Sequence, residues 1–404
     1  MPHSSTRKTW IILLSASAIL AITMGSRQSV GLFVSPINAA TGLGIVSISF
    51  ALAVGQLMWG VAQPIFGAIA DKRGSYGVLV FGAFMLAGGL ALTPFVQSES
   101  SLIATMGFLS AAGAGAGSFS VLIGVASQKL APERRAFAGG FINAGGSLGQ
   151  FIFAPLLQAI ISVFGWVSAL LTMAATTLLT IPLASLLTGK DTAARAAVAE
   201  PDGGGLLLQL RQAMRDRSYL CLHAGFFTCG FHIAFLVTHL PGEVALCGHT
   251  AHVSAASLAI IGLFNIAGSL FAGFLGSRYR MKYILAVMYG SRAVMIAIYL
   301  LAPKTVLTFY IFAAFLGFTW LATVPPTAGL VGKLFGTKYL ATLFGLTLLT
   351  HQVGGFLGAW LGGIAMAHDG NFLWMWYVDI ILAALAALVN LPIREADPIR
   401  PLSS

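Results

Sequence analysis

The chain has 404 residues, 57% of them hydrophobic and only 8% charged, with a mean hydropathy of +0.89, whereas an average soluble domain carries roughly 25% charge. That composition excludes a soluble globule, and the net charge of +10, from 22 Lys and Arg against 12 Asp and Glu, makes nucleic acid a candidate partner only until the charges are placed. The three cysteines, Cys221, Cys229 and Cys247, have no CxxC or His/Cys spacing, so neither a disulfide framework nor a metal site is implied, and no cofactor is expected.

An apolar run of about 20 residues crosses a hydrocarbon core roughly 30 Å thick. Twelve such runs are read along the chain, at 10–35, 46–70, 76–96, 102–128, 136–160, 167–187, 218–238, 254–276, 283–302, 305–329, 340–364 and 372–391. The expected fold is therefore an all-α membrane protein of twelve transmembrane helices. Span 1 follows Arg7 and Lys8 in the manner of a signal sequence, but its apolar run is too long for a signal core and is read as an uncleaved span.

Span 1 carries Arg27, roughly 25 Å along the helix from Trp10. Span 2 carries Gln56 and Trp59 and ends in Gly67-x-x-x-Asp71-Lys72-x-Gly74. Gly113, Gly115 and Gly117 in span 4, with Gly145, Gly146 and Gly149 in span 5 beside Asn143 and Gln150, allow helix backbones to approach closely. Gly113-x-Gly-x-Gly117 lies inside an apolar run with no preceding strand, so it is not a nucleotide fingerprint. No Walker sequence or enzyme constellation occurs.

Residues 188–217 interrupt the apolar pattern with nine charges, including Lys190, Asp191, Arg211 and Arg215. They divide the chain into a first half, 1–187, and a second, 218–404. Within this linker Leu206, Leu207, Leu210 and Met214 keep helical spacing beside the two arginines, which reads either as a helix on an anionic membrane surface or as an ordinary solvated linker.

In the second half, span 7 carries His232, span 8 Asn265, span 9 Tyr289 and Arg292, span 11 His351 and Gln352, and span 12 Asp379. Trp320 in span 10 precedes Pro325 and Pro326, where lost backbone hydrogen bonds should bend the helix. With a cytoplasmic N-terminus, 19 of the 22 basic residues fall on the cytoplasmic side and only Lys304 outside. The net charge thus reports a topology with both termini cytoplasmic; it forms no continuous patch for nucleic acid.

The halves repeat. Gly25, Arg27 and Pro36 correspond to Gly230, His232 and Pro241, and Asn143, Gly145, Gly146 and Gly149 correspond to Gln352, Gly354, Gly355 and Gly358. Gly67 to Gly74 corresponds to Gly273 to Arg280, and the nearly constant displacement favours duplication.

The Gly67…Asp71-Lys72…Gly74 segment resembles the motif joining the second and third helices of the major facilitator superfamily, and twelve spans around a central linker extend that resemblance over the whole chain. The second copy has Ser277 for Asp, which implies a weakened hold on the closed state in that half. Arg27-Gln-Ser-Val-Gly31-Leu-Phe-Val-Ser-Pro36, Gly230-Phe-His232 through His239-Leu-Pro241, Pro132-Glu-Arg134-Arg135 and Phe164-Gly-Trp166 are similar to bacterial relatives of the monocarboxylate transporters. Asn265 and Ser269 stand where the animal members have Asp and Arg, so anion binding through that Arg does not carry over.

The resemblance implies two pseudo-symmetric six-helix bundles, with spans 1, 4, 7 and 10 around a central cavity and spans 9 and 12 in support. A buried charge costs on the order of 3 kcal/mol even on insertion scales, which singles out Arg27, Arg292 and Asp379. Arg27 offers a carboxylate a fork of donors, or else snorkels or caps a neighbouring helix. Arg292 and Asp379 either pair with each other or leave Arg292 for substrate. His232, and secondarily His351, are candidates for a transported proton, because no Asp or Glu is read within the cavity-lining spans. Asn143 and Gln352 are the preferred polar pair, with Gln56 and Asn265 as further hydrogen-bonding groups and Tyr289 and Trp320 as aromatic lining.

The expected function is secondary active transport of a small organic anion, a monocarboxylate above all, across a bacterial inner membrane, by proton symport or anion exchange and alternating access. An exporter of amphipathic or zwitterionic molecules and a non-transporting solute receptor are the alternatives. The expected partners are the substrate anion, protons and the lipid bilayer, with a monomer as the working state.

Overall fold

A computed structural model describes residues 3–130, 132–188, 205–276, 278–335 and 340–395. Residues 189–204 of the linker and Ser277 lie outside the described residues, as do the side chains of Asp71 and Lys72. Every regular element among the described residues is a helix. The first half runs α1 (His3–Gln28), α2 (Ile45–Arg73), α3 (Ser75–Leu92), α4 (Glu99–Ala126), α5 (132–164) and α6 (166–188). The second runs α7 (Arg217–Leu246), α8 (Ala251–Gly276), α9 (Met281–Leu301), α10 (Val306–Phe335), α11 (Leu340–Asp369) and α12 (Leu373–Asn390).

Ten described segments are long and apolar enough to cross a bilayer. The 51-residue segment Ala138–Thr188 holds two helices, because Gly165 at φ 81° turns the chain between α5 and α6. The 30-residue α11 is not among the ten: His351, Gln352 and its glycines dilute its hydropathy. Splitting the one and adding the other restores the twelve expected crossings. The first crossing is longer than its apolar run, since a 3₁₀ turn, Val30–Phe33, and a short helix, Val34–Thr41, continue α1. Gly74 has φ 87° at the end of α2, a left-handed conformation that permits the immediate turn into α3 and gives the motif's last glycine its physical reason.

One expectation is corrected here. α7 extends to Leu246 and so contains Glu243, whose buried carboxylate accepts a hydrogen bond of 2.7 Å from Tyr299 on α9. A helix of the expected cavity wall therefore does carry an acid. Hydropathy ended the span early because the helix runs past its apolar stretch.

Packing follows the internal repeat. A side chain at Gly145 or Gly149 of α5 would collide with backbone at Ser17 and Ala21 of α1, and one at Gly354 or Gly358 of α11 would collide with the carbonyls of Phe227 and Phe231 of α7. Repeat-related glycines thus make the same helix contact in each half. Two further crossings join the halves: Gly60 of α2 against Gln352 of α11, and Gly262 of α8 against Ser147 and Phe151 of α5.

α4 and α10 are both broken at mid-length. The helix of α4 stops at Gly117 and restarts at Phe119, and the freed carbonyl of Gly117 accepts a hydrogen bond from Thr23 at 3.0 Å. α10 breaks at Trp320, ahead of the two prolines, through a 3₁₀ turn at Leu321–Thr323. Phe81, Phe84, Val287, Leu301, Leu385 and Leu388 are exposed on the perimeter, a surface suited to lipid chains and unsuited to water. The amphipathic linker stretch forms a helix, Gly205–Ala213, docked on the second half where Gln209 donates 2.8 Å to the Phe335 carbonyl.

Candidate transport site

A cavity of about 1180 Å³ lies between the halves. Gln28 of α1, Trp59, Gln63 and Pro64 of α2, Phe119 and Ser120 of α4, and Asn143, Ser147 and Gln150 of α5 form one wall. Asn265 of α8, Leu321 and Val324 of α10 and Leu349 of α11 form the other. It extends to the helix ends that carry Lys8, Ser75, Lys129 and Thr188, called the linker face below. Toward the opposite face the halves meet: Gly31 packs directly on the Val237 carbonyl of α7, and Gly363 of α11 on Ser49 of α2. The cavity is open on one side and closed on the other.

Its polar lining comes from loci that the sequence marks in part. Asn143 and Asn265 line it as expected from their spans. Asn265 is buried and bridges the halves, donating to Ser147 Oγ at 3.1 Å and accepting from the Leu321 N–H at 2.9 Å. Gln63, Ser120 and Ser147 were not singled out from the sequence. The one available signal is that Gln63 lies one turn beyond Trp59 on the same helix face, and Ser120 donates to its Oε1 at 3.2 Å.

Arg27 lies behind Trp59. Its guanidinium stacks on that ring, 4.1 Å from the centroid, and Nη2 donates to Gln56 Oε1. Both residues border a second, smaller space of about 50 Å³ inside the first half. Arg27 is half-buried and separated from the main cavity by one indole. The only cations lining that cavity among the described residues are Lys8 and Lys129, with no described carboxylate. Lys129 donates to the Leu187 and Thr188 carbonyls and so caps the end of α6.

The remaining candidates gather inside the second half. His232 of α7 shares a hydrogen bond between Nδ1 and Asp379 Oδ2 of α12, and both side chains are fully buried. Arg292 of α9, equally buried, donates to the carbonyl of Thr319 at 2.6 Å and of Trp320 at 3.5 Å. It supplies donors to the broken end of α10 as Thr23 does for α4, but with a charge. A cation there also opposes the negative end of a half-helix. Arg292 does not pair directly with Asp379: its Nε and Nη1 and the Asp379 Oδ1 have no hydrogen-bond partner. The expectation of a mutual ion pair is thereby replaced by two separate attachments. Tyr289 lies beneath Arg292 at 5.4 Å, and Trp320 is buried 6.4 Å from the His232 ring. None of these five residues lines the cavity. His351 and Gln352 of α11 bond each other at 3.0 Å, buried between α7 and α2.

Comparison with known proteins fits this architecture. The profile of the Major Facilitator Superfamily matches residues 16–359. The chain belongs to that superfamily. Among its relatives are monocarboxylate transporter 13 of Rattus norvegicus, 26% identical over 389 residues, covering 95% of this chain and 89% of that protein, and the oxalate:formate antiporter of Oxalobacter formigenes, 26% identical over 372 residues, covering 90% and 86%. Among solved structures, a bacterial homolog of the human lysosomal transporter Spinster, inward-facing and unoccupied, superimposes with a TM-score of 0.75 at 14% identity, covering 96% of this chain and 99% of that one. A D-xylose–proton symporter superimposes with a TM-score of 0.71 at 14% identity, covering 96% and 98%. These two likenesses support the fold alone. As a superfamily member the chain is a multi-pass membrane protein of a transporter family, with relatives named for monocarboxylate and for oxalate:formate transport.

Proposed function

We propose that the chain is a secondary carrier of a small organic anion, a monocarboxylate above all, moving it by proton symport or anion exchange across the inner membrane of a bacterium. The observation that carries this reading is a cavity with no described carboxylate in its lining and a guanidinium stacked directly behind its wall. A rotation of the Trp59 indole would let Arg27 meet a carboxylate with two parallel hydrogen bonds in a site where little water competes. Gln63, Asn143, Ser147 and Gln150 would orient the rest of the solute, and the buried Gln150 Nε2 has no protein partner. The names of the two relatives, one monocarboxylate and one oxalate:formate, favour the same class.

In this reading residues 1–187 and 218–404 are the two rocking halves, joined by 188–217, and the chain works as a monomer. Both termini are cytoplasmic, so the cavity on the linker face is the inward-open state. A second reading rests on cavity size: about 1180 Å³ walled by Ile11, Leu20, Met24 and Phe119 has room for a larger amphipathic anion.

Counterflow in proteoliposomes loaded with unlabelled lactate, formate or oxalate tests the proposal. Accumulation of the matching labelled anion is expected, and Arg27→Ala should lower it by about tenfold or more, the worth of a charge-assisted hydrogen bond. Carboxylate flux that is unchanged in the variant, or flux of cations or sugars only, overturns it.

A further inference from the structure

The His232–Asp379 pair is not explained by substrate binding, since neither described cavity reaches it. We propose that this pair is the proton-binding site of the carrier, and that Arg292 and the broken stretch of α10 pass its charge state to the Asn265–Ser147 hydrogen bond between the halves. The inference rests on the carrier reading and adds a site and a route to it.

Charge balance comes first. Arg292 and Asp379 are both fully buried and opposite in sign, and with His232 neutral the cluster carries no net charge. A proton needs no cavity volume, and beside the His232–Asp379 hydrogen bond, which the Nδ1 proton already fills, the unpartnered His232 Nε2 and Asp379 Oδ1 each offer a place for one more. Its arrival leaves the cluster one unit positive in a dry interior, which is costly unless a negative charge enters nearby. An anion in the cavity supplies that charge, so proton and anion favour each other's binding. A unit charge about 10 Å away at an effective dielectric near 20 changes binding by roughly tenfold. The proton is taken from water on one side and returned to water on the other; no electrons move.

Among the described residues Arg292 on α9 is the charged group that acts on His232, and around Arg292 stand Tyr289 on α9, itself beside Cys229 of α7, and His351 on α11. Arg292 lies within electrostatic reach of His232, Tyr289 and His351, and Arg27 within reach of His351. Trp320 of α10 is the aromatic neighbour. Asp379 is the only carboxylate in this set, so one proton on the pair offsets its only negative charge.

A continuous route then leads to the cavity. Arg292 Nη2 donates to the carbonyls of Thr319 and Trp320. The carbonyl of Trp320 shares a peptide group with the Leu321 N–H, which donates to Asn265 Oδ1 at 2.9 Å. Asn265 Nδ2 donates across the interface to Ser147 Oγ of the first half at 3.1 Å. The unpartnered Nε and Nη1 of Arg292, Nε2 of His232 and Oδ1 of Asp379 leave the cluster under-satisfied. Such a network has other arrangements within reach once its charge changes. A shift of Arg292 alters the carbonyls of a segment held by few helical bonds, and that segment holds one end of the inter-half contact.

Spin-label distances measured without substrate test this in purified full-length protein. Nitroxides at Tyr76→Cys and Tyr283→Cys, both exposed on the linker face of opposite halves, would be used with Cys221 and Cys247 replaced by Ser and the buried Cys229 retained. The distance distribution should shift as the pH is changed. Asp379→Asn should hold one distribution at every pH, and His232→Gln should move the midpoint by about one pH unit or more. Ser147→Ala should flatten the distance response while the pH-dependent infrared difference signal that Asp379→Asn abolishes persists. The proposal is overturned if the parent protein shows no pH shift, if Asp379→Asn titrates like the parent, or if His232→Gln leaves the midpoint in place. Should Asp379→Asn fail to fold, His232→Gln and Ser147→Ala decide. No solute enters the measurement, so failed carboxylate counterflow and failed pH response are separate results.

Discussion

Arg292 shows how one side chain acquires a structural duty from a break in another helix. Its Nη2 serves two carbonyls of α10 that have lost their helical donors, while its charge balances that of the equally buried Asp379. Replacing it by Leu strips both at once, leaving a buried carboxylate uncompensated and removing the arginine donor from both carbonyls, of which Trp320's keeps Thr323 Oγ1 at 3.2 Å. The cost expected is about 3 kcal/mol or more, read as a clear drop in the unfolding temperature of the detergent-purified protein. Arg292→Lys keeps the charge but offers a single point of attachment, so it should recover only part of the loss. A Leu variant that melts with the parent would mean that the carbonyls and Asp379 are satisfied by other means. That Arg292 and Asp379 mattered was legible in the sequence, because charge inside an apolar run is costly. Their partners were not, since residues on different helices reveal neither azimuth nor neighbours. His232 holds the aspartate that one of the two sequence alternatives had given to Arg292.

At the level of the helix, repeat-related glycines were legible as a pattern and the contacts they make were not. Gly149 of α5, packed on α1, and Gly358 of α11, packed on α7, occupy equivalent positions, each directly against a backbone carbonyl. Valine at either should drive α5 from α1, or α11 from α7, and cost about 3 kcal/mol or more, at the upper end of overpacking because backbone cannot rotate aside. Gly140, exposed and with open space where a methyl group would go, should accept Ala without loss and with a slight helix gain. Expression and thermal unfolding of the three variants would check this. If Gly149→Val and Gly358→Val differ widely, the two halves do not share packing rules. The same scale explains α11, read from the sequence as the span 340–364, whose polar centre of His351 and Gln352 makes it one of the less apolar crossings. It also explains α10, where Pro325 and Pro326 announced a bend but gave no hint that an arginine would satisfy it.

For the whole molecule the decisive feature is the asymmetry of the interface between the halves, which no pattern along one chain records. Gly31, in the turn that continues α1, lies against the Val237 carbonyl where the halves close, while the cavity on the other side stands open to the linker face. Any side chain there opposes this closed face, and alternating access converts that local clash into a shift of the whole population. Gly31→Ala should shift it partly and Gly31→Trp strongly, since overpacking of about 1–3 kcal/mol changes a two-state ratio by roughly five- to 150-fold. Ser147→Cys, whose position lines the cavity, gives the readout in a background lacking the three native cysteines. A membrane-impermeant maleimide should label it readily from the linker face in the parent and poorly in Gly31→Trp, with labelling from the opposite face rising in step. Equal loss from both faces would mean that the bulky residue unfolds the protein. Unchanged labelling from the linker face would mean that the α1–α7 contact does not hold the closed side, and that closure rests instead on Gly363 against Ser49.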